Sequence, residues 1–270
     1  MSGIPDAQQC IRVIARMGLG ARAVVYLLIS ALLIRALFTG SGDGDQASPS
    51  RAFLEIEQQW WGKAILLLIG AGLLLYTAWR LGQGILDLDR LGADAKDRLA
   101  RLGMLASGIG YGLVAIAAFS VALDQTDTAG GGSTQETVDY LIRLPLGSWL
   151  VLIMGIVIAG VGGAQIWRGV SGHWKKRIRL DDKTRWLEWV SGYAITGRGL
   201  LFLIAAVSIA WAGFSINPND ALGLAETMGW LRQQPFGFWL YLASGLVIGA
   251  YGLYSLLQAW RYMPGADYKP

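Results

Sequence analysis

The sequence predicts an all-α integral membrane protein: six transmembrane helices as three tandem parallel hairpin repeats, with short interfacial amphipathic helices between the two spans of each repeat. Three observations carry this. Hydrophobic residues make up 54% of the 270-residue chain and charged residues only 16%, against about 25% charged in ordinary soluble domains. The charges cluster between apolar runs of roughly 20 residues, and at ~1.5 Å per residue such a run crosses a ~30 Å hydrocarbon layer. The runs also recur in phase.

The runs cover residues 20–39, 62–79, 103–123, 147–167, 197–215 and 237–260. The first is longer than the 7–15-residue core of a secretory signal, carries Arg35 near its end, and belongs to the repeat. Odd-numbered spans open with RAVVY at 22–26, SGIGY at 107–111 and RGLLF at 198–202. Even-numbered spans open at Gly62, Gly147 and Gly237, which follow Tyr26, Tyr111 and Phe202 by 36, 36 and 35 residues. Gly70, Gly155 and Gly245 stand at the next matching position, then Tyr76, Val161 and Tyr251. Regular spacing over three units signals tandem repeats. The chain divides into an N-terminal segment 1–11, repeats 12–90, 97–177 and 185–262, and a tail 263–270.

Each even span has a recognisable start. Pro145 and Pro235 precede Gly147 and Gly237, each followed by a tryptophan two residues later. Proline lacks an N–H and has φ near −65°, so it suits the first turn of a helix and damages later ones. Pro145 and Pro235 are therefore expected to begin spans four and six. The first repeat has WWGK instead, keeping Gly62 with Trp60 and Trp61 but no proline.

Between the spans of each repeat lies a shorter periodic segment. Its apolar positions are Phe53, Ile56 and Trp60, then Val138, Leu141 and Ile142, then Leu224, Met228 and Leu231. Such spacings place them on one helical face, for a helix lying in the interface or packed over the bundle's end.

Lys and Arg are asymmetric. Eighteen fall on the side of the two termini and four (Arg51, Lys63, Arg143, Arg232) on the other, which predicts cytoplasmic termini and an inner-membrane address. Six tryptophans (60, 61, 149, 211, 230 and 239) fall at the outer boundary, and six (79, 167, 174, 186, 189 and 260) at or below the inner one, as interfacial belts do.

Chemistry is sparse. Cys10 is the only cysteine and His173 the only histidine, which allows no internal disulfide and no histidine-built metal site. No carboxylate pair and no Ser/His/Asp set stands out, so no catalytic residue, cofactor or metal is assigned and no enzyme is expected. The candidate functional polar residues are Arg35, Asp124 and Gln165. Arg35 lies near the outer end of its span, where it snorkels, pairs locally or gates. Asp124, at the outer end of the third span, is a conceivable partner for it. Gln165 reads as a hydrogen-bonding link between helices. Gly108-x-x-x-Gly112, Ala159-x-x-x-Gly163 and Gly245-x-x-x-Gly249 offer small-residue faces for close helix contact. The loop HWKKRIRLDDKTRW follows from ordinary charge bias or from contact with anionic lipid headgroups, at ~1 kcal/mol per basic residue. No soluble domain is present for nucleic acid.

GLGARAVVY, GYAITGRGLLF, PFGFWL and Tyr251-Gly252, set within three hairpins, carry a resemblance. Over residues 12–260 the chain resembles the bacterial membrane domain-of-unknown-function 1206 family, which has this paired-helix unit three times per protein. Ser107 departs from it, standing where the other repeats have Arg22 and Arg198. The resemblance implies a fold and no activity. The functional expectation is a structural or regulatory role through packing with lipids and membrane-protein partners. The alternative is a small-solute channel or transporter along a pseudo-threefold axis. A polar stripe around a central cavity would favour transport, and a dry glycine-packed centre the first reading.

Overall fold

The computed structural model describes residues 4–39, 49–87, 94–125, 134–172, 174 and 186–261. Among them run α1 (Ile4–Thr39), α2 (Pro49–Glu57), α3 (Gly62–Leu86), α4 (Ala95–Ala122), α5 (Thr134–Ile142), α6 (Gly147–Ser171), α7 (Trp186–Ser215), α8 (Leu224–Arg232) and α9 (Gly237–Arg261). Six of these hold segments long and apolar enough to cross a membrane: Val13–Phe38, Gly62–Leu86, Ala100–Ala122, Gly147–Ser171, Trp186–Ser215 and Gly237–Trp260. The chain is a multi-pass membrane protein with internal repeats. The odd-numbered spans begin earlier than their apolar runs, because arginine ends an apolar run without ending a helix. Residues 175–185 of the basic loop, and the tail 263–270, lie outside the described residues.

The short helices α2, α5 and α8 turn their apolar faces onto the bundle. Phe53, Val138 and Met228, each nine residues before the glycine that opens the next span, are completely buried. Trp60 instead lies beyond α2 in the following turn and is 95% exposed.

That turn explains the Pro-x-Gly motif. The amide of Gly147 donates to the Leu144 carbonyl at 2.9 Å, and that of Gly237 to the Gln234 carbonyl at 2.8 Å. Proline is thus the second residue of a four-residue turn, and Leu146 (φ 60) or Phe236 (φ 63) the third. Proline second and positive φ third define a type II turn. The helices start at Gly147 and Gly237, two residues later than proline's place in a first turn suggests. In the first repeat Gly62 bonds the Gln59 carbonyl at 2.8 Å, but Trp61 has φ −95 and ψ −1, a type I turn that needs no proline. A Cβ on Gly62, Gly147 or Gly237 would strike the carbonyl oxygens of Ile56, Leu141 and Arg232 respectively.

The most extensive packing runs between repeats. Even helices carry small residues every seventh position: Gly70, Thr77 and Gly84 on α3, Gly155, Gly162 and Gly169 on α6, and Gly245, Gly252 and Ala259 on α9. Each series seats the odd helix of the next repeat, antiparallel. A Cβ on Gly155 would lie 2.9 Å from the Ala210 nitrogen, and one on Gly162 2.9 Å from the Gly199 oxygen. Gly84 meets Leu105 of α4, and Gly252 meets Leu27 of α1, which closes the third repeat onto the first. With lipid as apolar as the helices, such close backbone approach is what drives association. Gly163 has open space around it, so the Ala159–Gly163 pair is not part of a seam.

Packed neighbours follow the order α4, α3, α1, α9, α7, α6. Within repeat one, α1 and α3 meet where Gly18 lies against Tyr76 and Gly72 against Ala21. In repeat three Gly197 meets Val247. The two spans of repeat two, α4 and α6, form no packed interface.

Candidate functional site

Arg22 lies in α1 and Arg198 in α7, both inside candidate spans. Arg22 stands 17 residues from Thr39, or ~25 Å along the helix, which places it inside the hydrocarbon layer near its termini-side boundary. The charge count puts both arginines, and Arg80, among loop cations. In the structure all three lie within helices and face protein groups.

One arginine occupies each seam between repeats, at one level. On the α9–α1 seam, Arg22 is buried and donates from Nη2 to Ser255 Oγ (3.0 Å) and Gln258 Oε1 (2.7 Å). Its Nη1 donates to the Tyr76 hydroxyl at 2.7 Å. On the α6–α7 seam, Arg198 donates to Gln165 Oε1 (3.0 Å) and to the Tyr26 hydroxyl (2.9 Å). Gln165 and Ser255 hold the same place in their repeats, 18 residues after Gly147 and Gly237. The α3–α4 seam has Ser107 where the arginine would be, and Arg80 stands on the opposite helix at the Gln165 and Ser255 position. Arg80 donates to the Tyr76 hydroxyl (3.1 Å) and to Gln83 Oε1 (3.0 Å). The missing arginine has moved across the seam.

Aromatic rings complete the cluster. The Arg22 guanidinium carbon lies 5.2 Å from the Tyr76 ring centre and 5.4 Å from that of Tyr251. Arg198 lies 4.5 Å from both Phe202 and Tyr251. The Tyr26 and Tyr111 hydroxyls are 2.9 Å apart, and either can donate. An arginine at the centre of a membrane helix costs about 2.5–3.5 kcal/mol on insertion scales. Hydrogen bonds to a charged group contribute about 1.5–3 kcal/mol each and desolvated cation–π contacts up to about 2, enough to offset that cost. Neutral groups thus solvate the cations. Among the described residues no carboxylate pairs with Arg22, Arg80 or Arg198, and Nε of Arg22 and of Arg198 is buried without a partner. Arginine keeps its proton, so the cluster holds positive charge rather than shuttling protons.

The polar candidates separate. Gln165 belongs to this cluster. Arg35 and Asp124 lie at the opposite end and do not meet: Arg35 Nη1 pairs with Glu55 Oε2 of α2 at 2.8 Å, and Asp124 pairs with Lys63 at 2.6 Å. The Lys63 ammonium holds the exposed Asp124 carboxyl below the ordinary carboxylate range. Most of the tryptophans face outward, but Trp79 and Trp174 are buried, Trp79 against Tyr76 and Arg80 and Trp174 edge-on to Tyr254. Their rings find packing partners inside the bundle, which the belt assignment does not foresee. Arg22 and Arg198 escaped sequence reasoning as site residues. The available signal was their phase: they recur at one repeat position with an aromatic residue four places on, as loop charges do not.

Comparison with known proteins agrees with this architecture. The chain is 26% identical over 259 residues to a Bacillus subtilis (strain 168) protein described as "Uncharacterized protein YxxB", covering 94% of this chain and 92% of that one. No solved structure matches. The family described as "Domain of Unknown Function (DUF1206)" matches three times, at residues 17–87, 102–172 and 192–261. These segments correspond to the three hairpins, and the chain belongs to that family.

Proposed function

We propose that this protein is a closed, non-conducting bundle with a structural or regulatory role, acting through its contacts with lipids and other membrane helices and not as an enzyme. The observation that supports this reading best is the filled axis. At the level of the arginines, side chains of α1, α3, α4, α7 and α9 interlock through Tyr26, Tyr76, Tyr111 and Tyr251. Towards the other end Leu33, Phe53, Val121, Met228 and Ile248 are all essentially inaccessible. Outside, an apolar groove of about 540 Å³ lined by Leu27, Ser30, Trp189, Tyr193 and Leu246, among others, opens between α1, α7 and α9.

Fifteen loop and helix-end cations still mark the termini side once Arg22, Arg80 and Arg198 are set aside, against four opposite. This supports cytoplasmic termini and an inner-membrane address for a bacterial protein. Reporter fusions test it: one after Lys176 should read as cytoplasmic and one within residues 130–133 as external. The functional test is reconstitution into liposomes. Entrapped chloride, potassium and an imposed pH gradient should be retained as in protein-free vesicles. Protein-dependent flux of a small anion would overturn this reading and install a channel along the arginine-lined axis.

A further inference from the structure

The opening between α4 and α6 has a cationic floor. In repeats one and three, the matching helix faces are covered: Tyr76 and Tyr251 are 0% and 9% exposed. Val161 holds their position in repeat two and is 43% exposed. On α4, Gly103 and Gly110 have nothing near an added Cβ, although Gly18, at the Gly103 position of repeat one, is pressed against Tyr76. The residues that meet in repeat one, Gly18 and Ala21 against Gly72 and Tyr76, correspond to Gly103, Ala106, Val157 and Val161 in repeat two, all of them exposed, and these faces with Gly110 form the sides of the cleft. Its inner end is spanned by a polar chain, from Tyr111 of α4 through Tyr26 and Arg198 to Gln165 of α6.

We infer that this cleft binds one anionic phospholipid from the leaflet on the termini side, its acyl chain between α4 and α6 and its phosphate against Arg198 and Arg168. Charge selects the occupant. The partners of Arg22, Arg80 and Arg198 are neutral, and Nε of Arg198 is buried and unpaired. Arg168 stands one turn beyond Gln165, is exposed, and makes no ion pair among the described residues. Depth agrees: Gln165 lies 18 residues from Gly147, ~27 Å along the helix and just inside a ~30 Å core, and Arg168, three residues further on, reaches the boundary where the headgroups of that leaflet begin. A planar guanidinium fork matches phosphate oxygens. The inference deepens the proposed function by naming a lipid class. It rests on that reading, yet a sealed bundle without headgroup preference would remove the site and leave the reading standing.

The experiment is native mass spectrometry of the full chain, released from micelles carrying equal parts phosphatidylglycerol and phosphatidylcholine. The expected result is one retained phosphatidylglycerol at about tenfold preference, the size of one hydrogen bond to a charged group. Arg168→Gln, at an exposed position that leaves the bundle intact, should reduce the preference severalfold. Arg198→Gln should bring it near parity. Gly110→Leu, which fills the cleft without touching either arginine, should abolish retention of both lipids. Equal retention of the two headgroups, a preference indifferent to Gly110→Leu, or a second copy of the chain retained in place of lipid would each overturn the inference.

Discussion

Repeats one and two are built from the same plan and end in different states. Both carry on their odd helix a glycine, an arginine-or-serine position and a tyrosine: Gly18, Arg22 and Tyr26 against Gly103, Ser107 and Tyr111. In repeat one α1 lies against α3, and Gly18 admits the backbone of Tyr76 to within 2.7 Å of where its Cβ would be. In repeat two the corresponding glycine touches nothing, and α4 and α6 each pack instead against a neighbouring repeat. The difference lies partly in one side chain. Tyr76 brings a ring and a hydroxyl that accepts from both Arg22 and Arg80, while Val161 offers neither. A repeat protein can therefore keep its seams and open a single hairpin at little cost to the rest, because seam glycines and hairpin residues occupy different faces of each helix.

The largest effect is expected where that contrast is sharpest. Gly18→Leu should destabilise the protein by about 3 kcal/mol, the upper end of overpacking costs, whereas Gly103→Leu should change it by less than about 0.5 kcal/mol. Unfolding of both variants in one detergent decides this, and equal losses would mean that the hairpin of repeat two is closed. A smaller effect separates the turns. Leu146→Gly and Phe236→Gly should each stabilise by up to about 1 kcal/mol by relieving a left-handed backbone. Trp61→Gly, at a position with negative φ, should not. The same unfolding assay reads it.

The smallest effect is electrostatic, at the tie between Lys63 of α3 and Asp124 beyond α4. Because the Asp124 carboxyl is lowered by its hydrogen bond and attraction to Lys63, the pair supports the fold above the unfolded carboxylate value of about 3.9. Its contribution is lost as pH falls through the lower native value. Titration of isotope-labelled Asp124 should show a midpoint below the ordinary value, and Lys63→Gln should raise it. An unchanged midpoint would mean that the pair does not form in solution.

Spans, triplication and the connector helices were legible because hydrophobicity and spacing repeat along the chain. Gly70, Gly155 and Gly245 were visible as a matched set, and the structure shows what they seat. Arg22 and Arg198 were not legible as interior residues. At the start of an apolar run an arginine looks the same whether it faces water or an axis, and only neighbours such as Gln258 and Tyr251, far along the chain, distinguish the two. The open hairpin was hidden for a similar reason. Gly103 and Gly110 are the same letter as the packed Gly108 and Gly112, and a face without a partner leaves no mark in the sequence. Arg80 shows the converse: its significance appears only once α3 is set beside Ser107 of α4.

A pair of distances tests the asymmetry most directly. Spin labels at Val24 and Leu74 report on α1 and α3, and labels at Ile109 and Ala159 occupy the equivalent positions on α4 and α6. Measured in lipid bilayers by pulsed electron resonance, the α4–α6 pair should give the longer distance and the broader distribution, since no packed interface holds those helices together. Two indistinguishable distributions would show that repeat two is closed like repeat one, and the cleft with its arginine floor would not exist.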